Sequence, residues 1–300
     1  MITRRGFLKA ISVAALAGTV GAAYTTLIEP LLMTRVKSYK LRPPNWSEAP
    51  RLRVAVLSDI HACKPWMTRK RIETIVADTN ALKPDAIFLL GDYVSGMDAV
   101  TDYLHPGDWS AALSALAAPM GVFAILGNHD WWEDPAAQRA GHGPVVAGRA
   151  LEKIGIRVLH NDVLRLEKGG KAVWLAGLGD QLALLPGTQY GRGRFQGLDD
   201  LAGTLKKVTD DGAVILLAHE PDIFPRVPQR VSLTLSGHTH GGQVNILGWR
   251  PVVPSRFGQR YAYGHIEENG RHLIVSGGLG MSIMPIRFGV RPEIVLLQLG

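Results

Sequence analysis

An α/β layered domain is the fold this chain predicts, and three observations carry the prediction. Five short apolar runs, Val54 to Leu57, Ala86 to Leu90, Val122 to Leu126, Val214 to Ala218 and Val231 to Leu235, have the length and bounding turn signals of buried strands. Segments with apolar residues at helical spacing alternate with them, as a layered domain requires. Without residues 1–23, 277 of the 300 residues remain, enough for one large domain with a substantial core.

Taken in order, residues 1–23 stand outside that domain. Thr3-Arg4-Arg5-Gly6-Phe7-Leu8-Lys9 is a charged start, and Ala10 to Ala23 is mildly apolar and rich in Gly and Ala. The paired arginines point to a Tat signal peptide, whose passengers meet the translocation machinery already folded. The small residues Val20-Gly21-Ala22-Ala23 make cleavage there the expectation; the rival is an uncleaved N-terminal anchor, against which the segment reads as short for a full span. Residues 24–50 read as an N-terminal strand, Thr34 to Leu41, and a linker broken by Arg42-Pro43-Pro44-Asn45. Residues 51–300 form the main domain.

Within it, helices are expected over Thr68 to Leu82, with Thr68 as cap and Pro84 beyond the end, and over Trp109 to Ala118, Val145 to Ile154 and Asp199 to Val208. Leu273 to Leu299 holds several β-type runs and no long helix, so the sheet is expected to end in antiparallel strands. Ser95 to Pro106 and Trp131 to Pro144 read as loops, and Tyr190 to Phe195 is rich in Gly and Arg.

Each apolar run stops in residues that bind metals. The first leads into Ser58-Asp59-Ile60-His61, the second into Gly91-Asp92, the third into Gly127-Asn128-His129-Asp130, the fourth into His219-Glu220, and the last into Ser236-Gly237-His238-Thr239-His240-Gly241. Ligands of α/β sheets bind outside the carboxyl ends of the strands. Buried charged and polar groups are costly unless paired or metal-bound, so this set delivered to one edge is hard to explain as packing.

The ordered set Asp-x-His, Gly-Asp, Gly-Asn-His-Asp, a lone His and Gly-His-x-His resembles the calcineurin-like metallophosphoesterase family, from about Arg51 to the C-terminus. Each motif is weak alone; the five in order are specific. The resemblance implies a four-layer αββα sandwich with two mixed sheets and a dinuclear metal site at the C-terminal ends of the strands. It implies one metal held by Asp59, His61 and His240, another by Asn128, His219 and His238, and Asp92 bridging the two. Carboxylates, imidazoles and an amide oxygen suit Mn, Fe or Zn. His129 is left free to stabilise the phosphate or protonate the leaving group, with Asp130 orienting its imidazole or merely capping.

The expected activity is phosphoester hydrolysis by a metal-bridging hydroxide, most simply of phosphodiesters. Small-molecule or lipid-linked phosphodiesters and pyrophosphates in the envelope are the expected substrates, at the periplasmic or outer face of the cytoplasmic membrane. A phosphomonoesterase or nucleotidase shares the same ligands. A non-catalytic scaffold belongs to a different class, but such relatives usually lose ligands. The formal charge is +7, of which Arg4, Arg5 and Lys9 supply three, leaving about +4. That suits an anionic substrate or a membrane surface and does not call for nucleic acid. The single cysteine, Cys63, excludes an internal disulfide. Cys63 reads as a small residue beside the site, Trp131 and Trp132 as packing under their loop. Arg256 and Arg287 read as surface arginines, and Met281, Ile283 and Met284 as core.

Overall fold

The computed structural model describes residues 3–187 and 193–300. Two six-stranded sheets stack face to face. The first orders its strands Arg35–Leu41, Glu293–Leu299, Leu52–Leu57, Ala86–Leu89, Val122–Ala124 and Arg157–Val158. The second runs Gly264–Glu268, Arg271–Val275, Leu233–Ser236, Val214–Leu217, Lys171–Gly177 and Asp162–Lys168. Both are mixed. Leu52–Leu57 pairs in parallel with Ala86–Leu89 but antiparallel with Glu293–Leu299, and Val214–Leu217 lies parallel to both its neighbours.

Alternation along the strands builds the four layers. Val54 and Val56 face inward with Phe88, Leu175, Ile215, Leu217 and Leu235, filling the space between the sheets. Ala55, Leu57, Ile87 and Leu89 face outward, onto the helices Arg69–Ala81, Pro106–Leu113 and Val146–Lys153. Leu216, Leu273 and Val275 cover the far face with Ile223, Phe224 and Tyr261. Each Val, Leu, Ile or Phe among these contributes roughly 1.5–3 kcal/mol on burial.

Helix positions follow their caps. Thr68 caps Arg69–Ala81, as expected, accepting from the Arg71 N–H. The second helix lies earlier than its apolar spacing suggests, at Pro106–Leu113, because Pro106 suits a first helical position and His105 Nδ1 accepts from the Gly107 N–H. The fourth shrinks to Leu201–Lys206, started by the Asp200 side chain. Trp131 to Pro144 is not wholly a loop: Asp134 accepts from the N–H groups of Ala136 and Ala137 and starts the helix Pro135–Ala140.

The C-terminal strands are antiparallel only in part, since Arg271–Val275 is parallel to Leu233–Ser236 and Glu293–Leu299 parallel to Arg35–Leu41. The Gly/Arg-rich Tyr190 to Phe195 lies partly outside the described residues.

The N-terminal helix does not stop at Ala23. It runs through a π-turn, Tyr24–Ile28, to Leu32, giving 29 residues that hold an 18-residue window of mean hydropathy 1.6, long and apolar enough to cross a membrane, a test a signal sequence also passes.

Candidate metal centre

Parallel strands put their carboxyl ends on one edge, and the residues that follow five of them converge there. Asp59, His61, Asp92, Asn128, His219 and His240 are buried and His238 nearly so. Two glycines permit the convergence. A Cβ on Gly127 would lie 2.4 Å from Asp92 Oδ1 and 2.6 Å from His219 Cε1, and one on Gly237 would meet Ser58 and Asp59.

Ligand atoms gather in three overlapping sets, Asp59 with His61 and His240, His61 with Asp92 and His129, and Asp92 with His219 and His238, each within 4.8 Å. Asp92 stands between them: its Oδ2 lies 3.5 Å from His61 Nε2 and 3.2 Å from His219 Nε2. Asn128 Oδ1 is 2.8 Å from His238 Nδ1. Backbone N–H groups aim the carboxylates, that of His129 donating to Asp92 Oδ1 at 2.9 Å and that of His238 to Asp59 Oδ1 at 2.8 Å.

The donor set fits cations. His61 Nδ1 faces the Val94 carbonyl at 3.1 Å and His219 Nδ1 the Leu90 carbonyl at 2.6 Å. A carbonyl only accepts, so both Nδ1 atoms carry a hydrogen and both Nε2 atoms face inward, free to ligate when the ring is neutral. His219 Nε2 is buried with no hydrogen-bond partner, and the Nε2 atoms of His61 and His240 sit 3.0 Å apart. Burial pushes His61 and His238 down to about 3 and His240 well below its usual range, so these imidazoles are neutral, the state a ligand needs. Burial raises Asp59 to about 6. At His219 burial acts downward, but Asp92 outweighs it and holds the proton well above the ordinary pKa. That proton supplies positive charge where a cation would supply it.

His129 joins only the middle set, with His61 and Asp92, which are the residues common to its neighbours. Its ring lies 5.0 Å from the His61 ring and 5.0 Å from that of Trp132; Nδ1 is 3.5 Å from Glu133 Oε1, and Nε2 is 3.4 Å from Ser282 Oγ. Burial works against its charge, but Glu133 and Asp92 raise its pKa. Asp130 does not orient this imidazole. Its carboxylate accepts from the backbone N–H groups of Asp92, Tyr93, Val94 and Gly127, locking two ligand turns together, and Glu133 takes the place beside His129. Glu133 went unread in the sequence; its spacing four residues after His129, within one helical turn, is the signal that finds it.

Other expectations divide. Cys63 is buried and joins no ligand group among the described residues. Trp131 is buried under the loop, whereas Trp132 lines the pocket. Arg287 is not a surface residue: it is fully buried, donates to the Gly280 and Val290 carbonyls, and reaches within 3.2 Å of His240 Nδ1. Arg256 is exposed and binds Asp222. Met281 is core, but Ile283 and Met284 are 73% and 55% exposed. Above the ligands opens a cavity of about 440 Å³, walled by His129, Trp132, Val244, Val252, Ile283 and Met284. A separate cavity of about 540 Å³ beside Lys40, Arg51 and Lys168 contains none of these groups.

Residues 52–242 match the family described as Calcineurin-like phosphoesterase. The chain is 31% identical over 308 positions to the uncharacterized metallophosphoesterase YkuE of Bacillus subtilis (strain 168), covering 99% of this chain and 98% of that one. It is 30% identical over 305 positions to phosphodiesterase YaeI of Escherichia coli (strain K12), covering 100% of each. A transmembrane protein with metallophosphoesterase domain from Danio rerio is 30% identical over 257 positions, which cover 83% of this chain and 53% of that one.

Proposed function

The chain belongs to the calcineurin-like phosphoesterase family, and we propose that it is a metal-dependent phosphodiesterase. The observation that carries this reading is the chain of overlapping ligand sets linked through His61 and Asp92, with His129 among them at an open pocket. Asp59, His61 and His240 would hold one divalent cation, Asn128, His219 and His238 a second, and Asp92 both. Bound there, Mn, Fe or Zn ions supply Lewis acidity at phosphoryl oxygens and acidify a water for attack.

The chain's own residues do the rest. His129, its pKa raised by Glu133 and Asp92, stands where it can give a proton to the departing oxygen. The apolar walls Val244, Val252, Ile283 and Met284 suit an ester carrying an organic group on each side, which favours diesters over phosphate monoesters. A lipid-linked phosphodiester or pyrophosphate of the envelope fits such walls. Full-length similarity to a phosphodiesterase of Escherichia coli supports the same choice.

Arg4-Arg5 supports Tat export, and the arginines with Lys9 on the cytoplasmic side of the helix would set the domain on the outer face. The test compares bis-p-nitrophenyl phosphate with the monoester. The diester should turn over faster, and His129→Ala should lower kcat by about 10²–10⁴ at unchanged metal content. Faster monoester turnover would make the chain a phosphomonoesterase.

A further inference from the structure

The N-terminal helix is fastened to the loop that follows Ile286 in the pocket wall. From Ala10 to Ile28 the helix carries no charge over 19 residues. At 1.5 Å per residue that is about 29 Å, the thickness of a bilayer's hydrocarbon core. Its most apolar window is not buried at all in the protein. Where the uncharged run ends, the chain is fastened to the domain. Thr25 O accepts from the Arg287 N–H at 2.8 Å, and buried Glu29 accepts from the Gly289 N–H at 3.0 Å. The Tyr24 ring meets Phe288 edge-on at 6.2 Å.

The attachment continues to the mouth. Phe288 O accepts from the Asn245 N–H, and Ile246 and Trp249 close the next turn with paired backbone bonds. Gln243 ties in the other loop, donating to Met284 O and accepting from the Ser282 N–H.

These two loops are where apolar side chains meet water. Outside the helix, eleven large hydrophobic residues are exposed among the described residues, and seven of them lie within 246–252 and 283–288. Leu247 is completely exposed, and Val252 and Trp249 are 65% and 58% exposed. Apolar clusters of this size mark interaction surfaces rather than chance.

We propose that Ile246, Leu247, Trp249, Val252, Ile283 and Met284 form a collar that enters the surface of the bilayer crossed by the N-terminal helix, seating the pocket mouth on the membrane. The helix identifies the occupant. A span leaving the hydrocarbon near Ile28 brings Tyr24 and Phe288 to the interface, and the collar is hydrogen-bonded to that point. Tryptophan and tyrosine favour this depth, where the ring is dry and its polar end wet. Phosphoesters held in the bilayer then reach the ligands without crossing water; only this consequence rests on the hydrolytic reading of the pocket.

The test reconstitutes the full chain in phosphatidylcholine vesicles whose acyl chains carry bromine and reads tryptophan emission. Of the seven tryptophans only Trp249 is exposed. Bromolipids should quench it, Trp249→Phe should abolish the quenching, and Leu247→Asp should weaken it. Leu247 has φ 52°, a conformation Asp tolerates, so that variant keeps its backbone. Emission indifferent to bromolipid, or quenching that survives Trp249→Phe, overturns the proposal, whether water, a second copy or another protein then covers the collar. Neither residue lines the pocket, so hydrolysis of soluble bis-p-nitrophenyl phosphate by the same vesicles should be unchanged in both variants. Quenching without hydrolysis would sink the phosphodiesterase reading and leave the docking standing; hydrolysis without quenching would do the reverse.

Discussion

Five of the seven candidate ligands hold their backbone in the left-handed region: Asp59 at φ 56°, His61 at 48°, Asp92 at 57°, His238 at 66° and His240 at 51°. For residues other than glycine this costs on the order of 1 kcal/mol each, and such strain persists where the surroundings over-determine it. Here the surroundings are Asp130, whose carboxylate ties the Asp92 turn to Gly127, and the backbone donors on Asp59 and Asp92. Asp92→Asn tests the account at this scale, because asparagine accepts the same φ. The variant should fold, with a metal-free Tm below that of the parent, since the buried charge that pairs with His219 is lost. Metal affinity and turnover should fall by at least about 100-fold, more than a residue behind the ligands costs. A well-folded Asp92→Asn protein with parental activity would remove Asp92 from the centre.

Between elements, a cluster at the same strand ends, beside Gly241, Gly277 and Gly278, ties the sheets together. Glu293, buried on the last strand, accepts from Arg35 on the edge strand and at 2.7 Å from the Tyr263 hydroxyl, which precedes the second sheet's edge. Burial, then the Glu293 charge, raises the Tyr263 pKa well above its usual value, and burial pushes Tyr39 up to about 12. A phenol raised on folding stabilises fully below about pH 10 and loses that contribution as pH climbs toward the folded pKa. Tyr263→Phe should therefore cost about 1 kcal/mol near neutrality, from the lost hydrogen bond, yet make the fall in stability above pH 10 shallower. Denaturant titrations at pH 7 and pH 11 read both effects; an unchanged alkaline slope contradicts the assignment. The five central strands were legible as apolar runs, and Thr68 as a cap, because burial on both faces and capping are local signals. The hairpins Asp162–Lys168 with Lys171–Gly177 and Gly264–Glu268 with Arg271–Val275 went unread, although Gly169-Gly170 and Asn269-Gly270 all have positive φ, as their tight turns require. Nothing in strand periodicity separates the second sheet from the first; the resemblance supplied that division.

At the scale of the molecule, the ligand set was readable because five separate strands end in it, but how it is reached was not. Ile283 and Met284 have core composition and lie at the surface, while Arg287 has surface composition and lies in the core. The helix boundary failed for a related reason. The small residues up to Ala23 read as an end, but burial of Glu29 against Gly289 carries the helix on to Leu32 and fixes it to the domain. Those contacts are ones an anchor would keep and a cleaved leader would lose. Alkaline carbonate should thus leave the full chain in the membrane pellet, and its intact mass should retain Arg4 and Arg5; release into the supernatant with a mass beginning near Tyr24 would return the helix to the role of signal peptide.

The claim beneath all of this is that seven residues from five strand ends make one two-cation centre that hydrolyses phosphodiesters. Titrating metal-stripped full chain with Mn, Fe or Zn tests it, following bound metal and bis-p-nitrophenyl phosphate turnover together. The account predicts two equivalents bound per chain, with hydrolysis rising as the second enters. A folded protein that binds fewer than two, or that stays inactive with two bound, would contradict it.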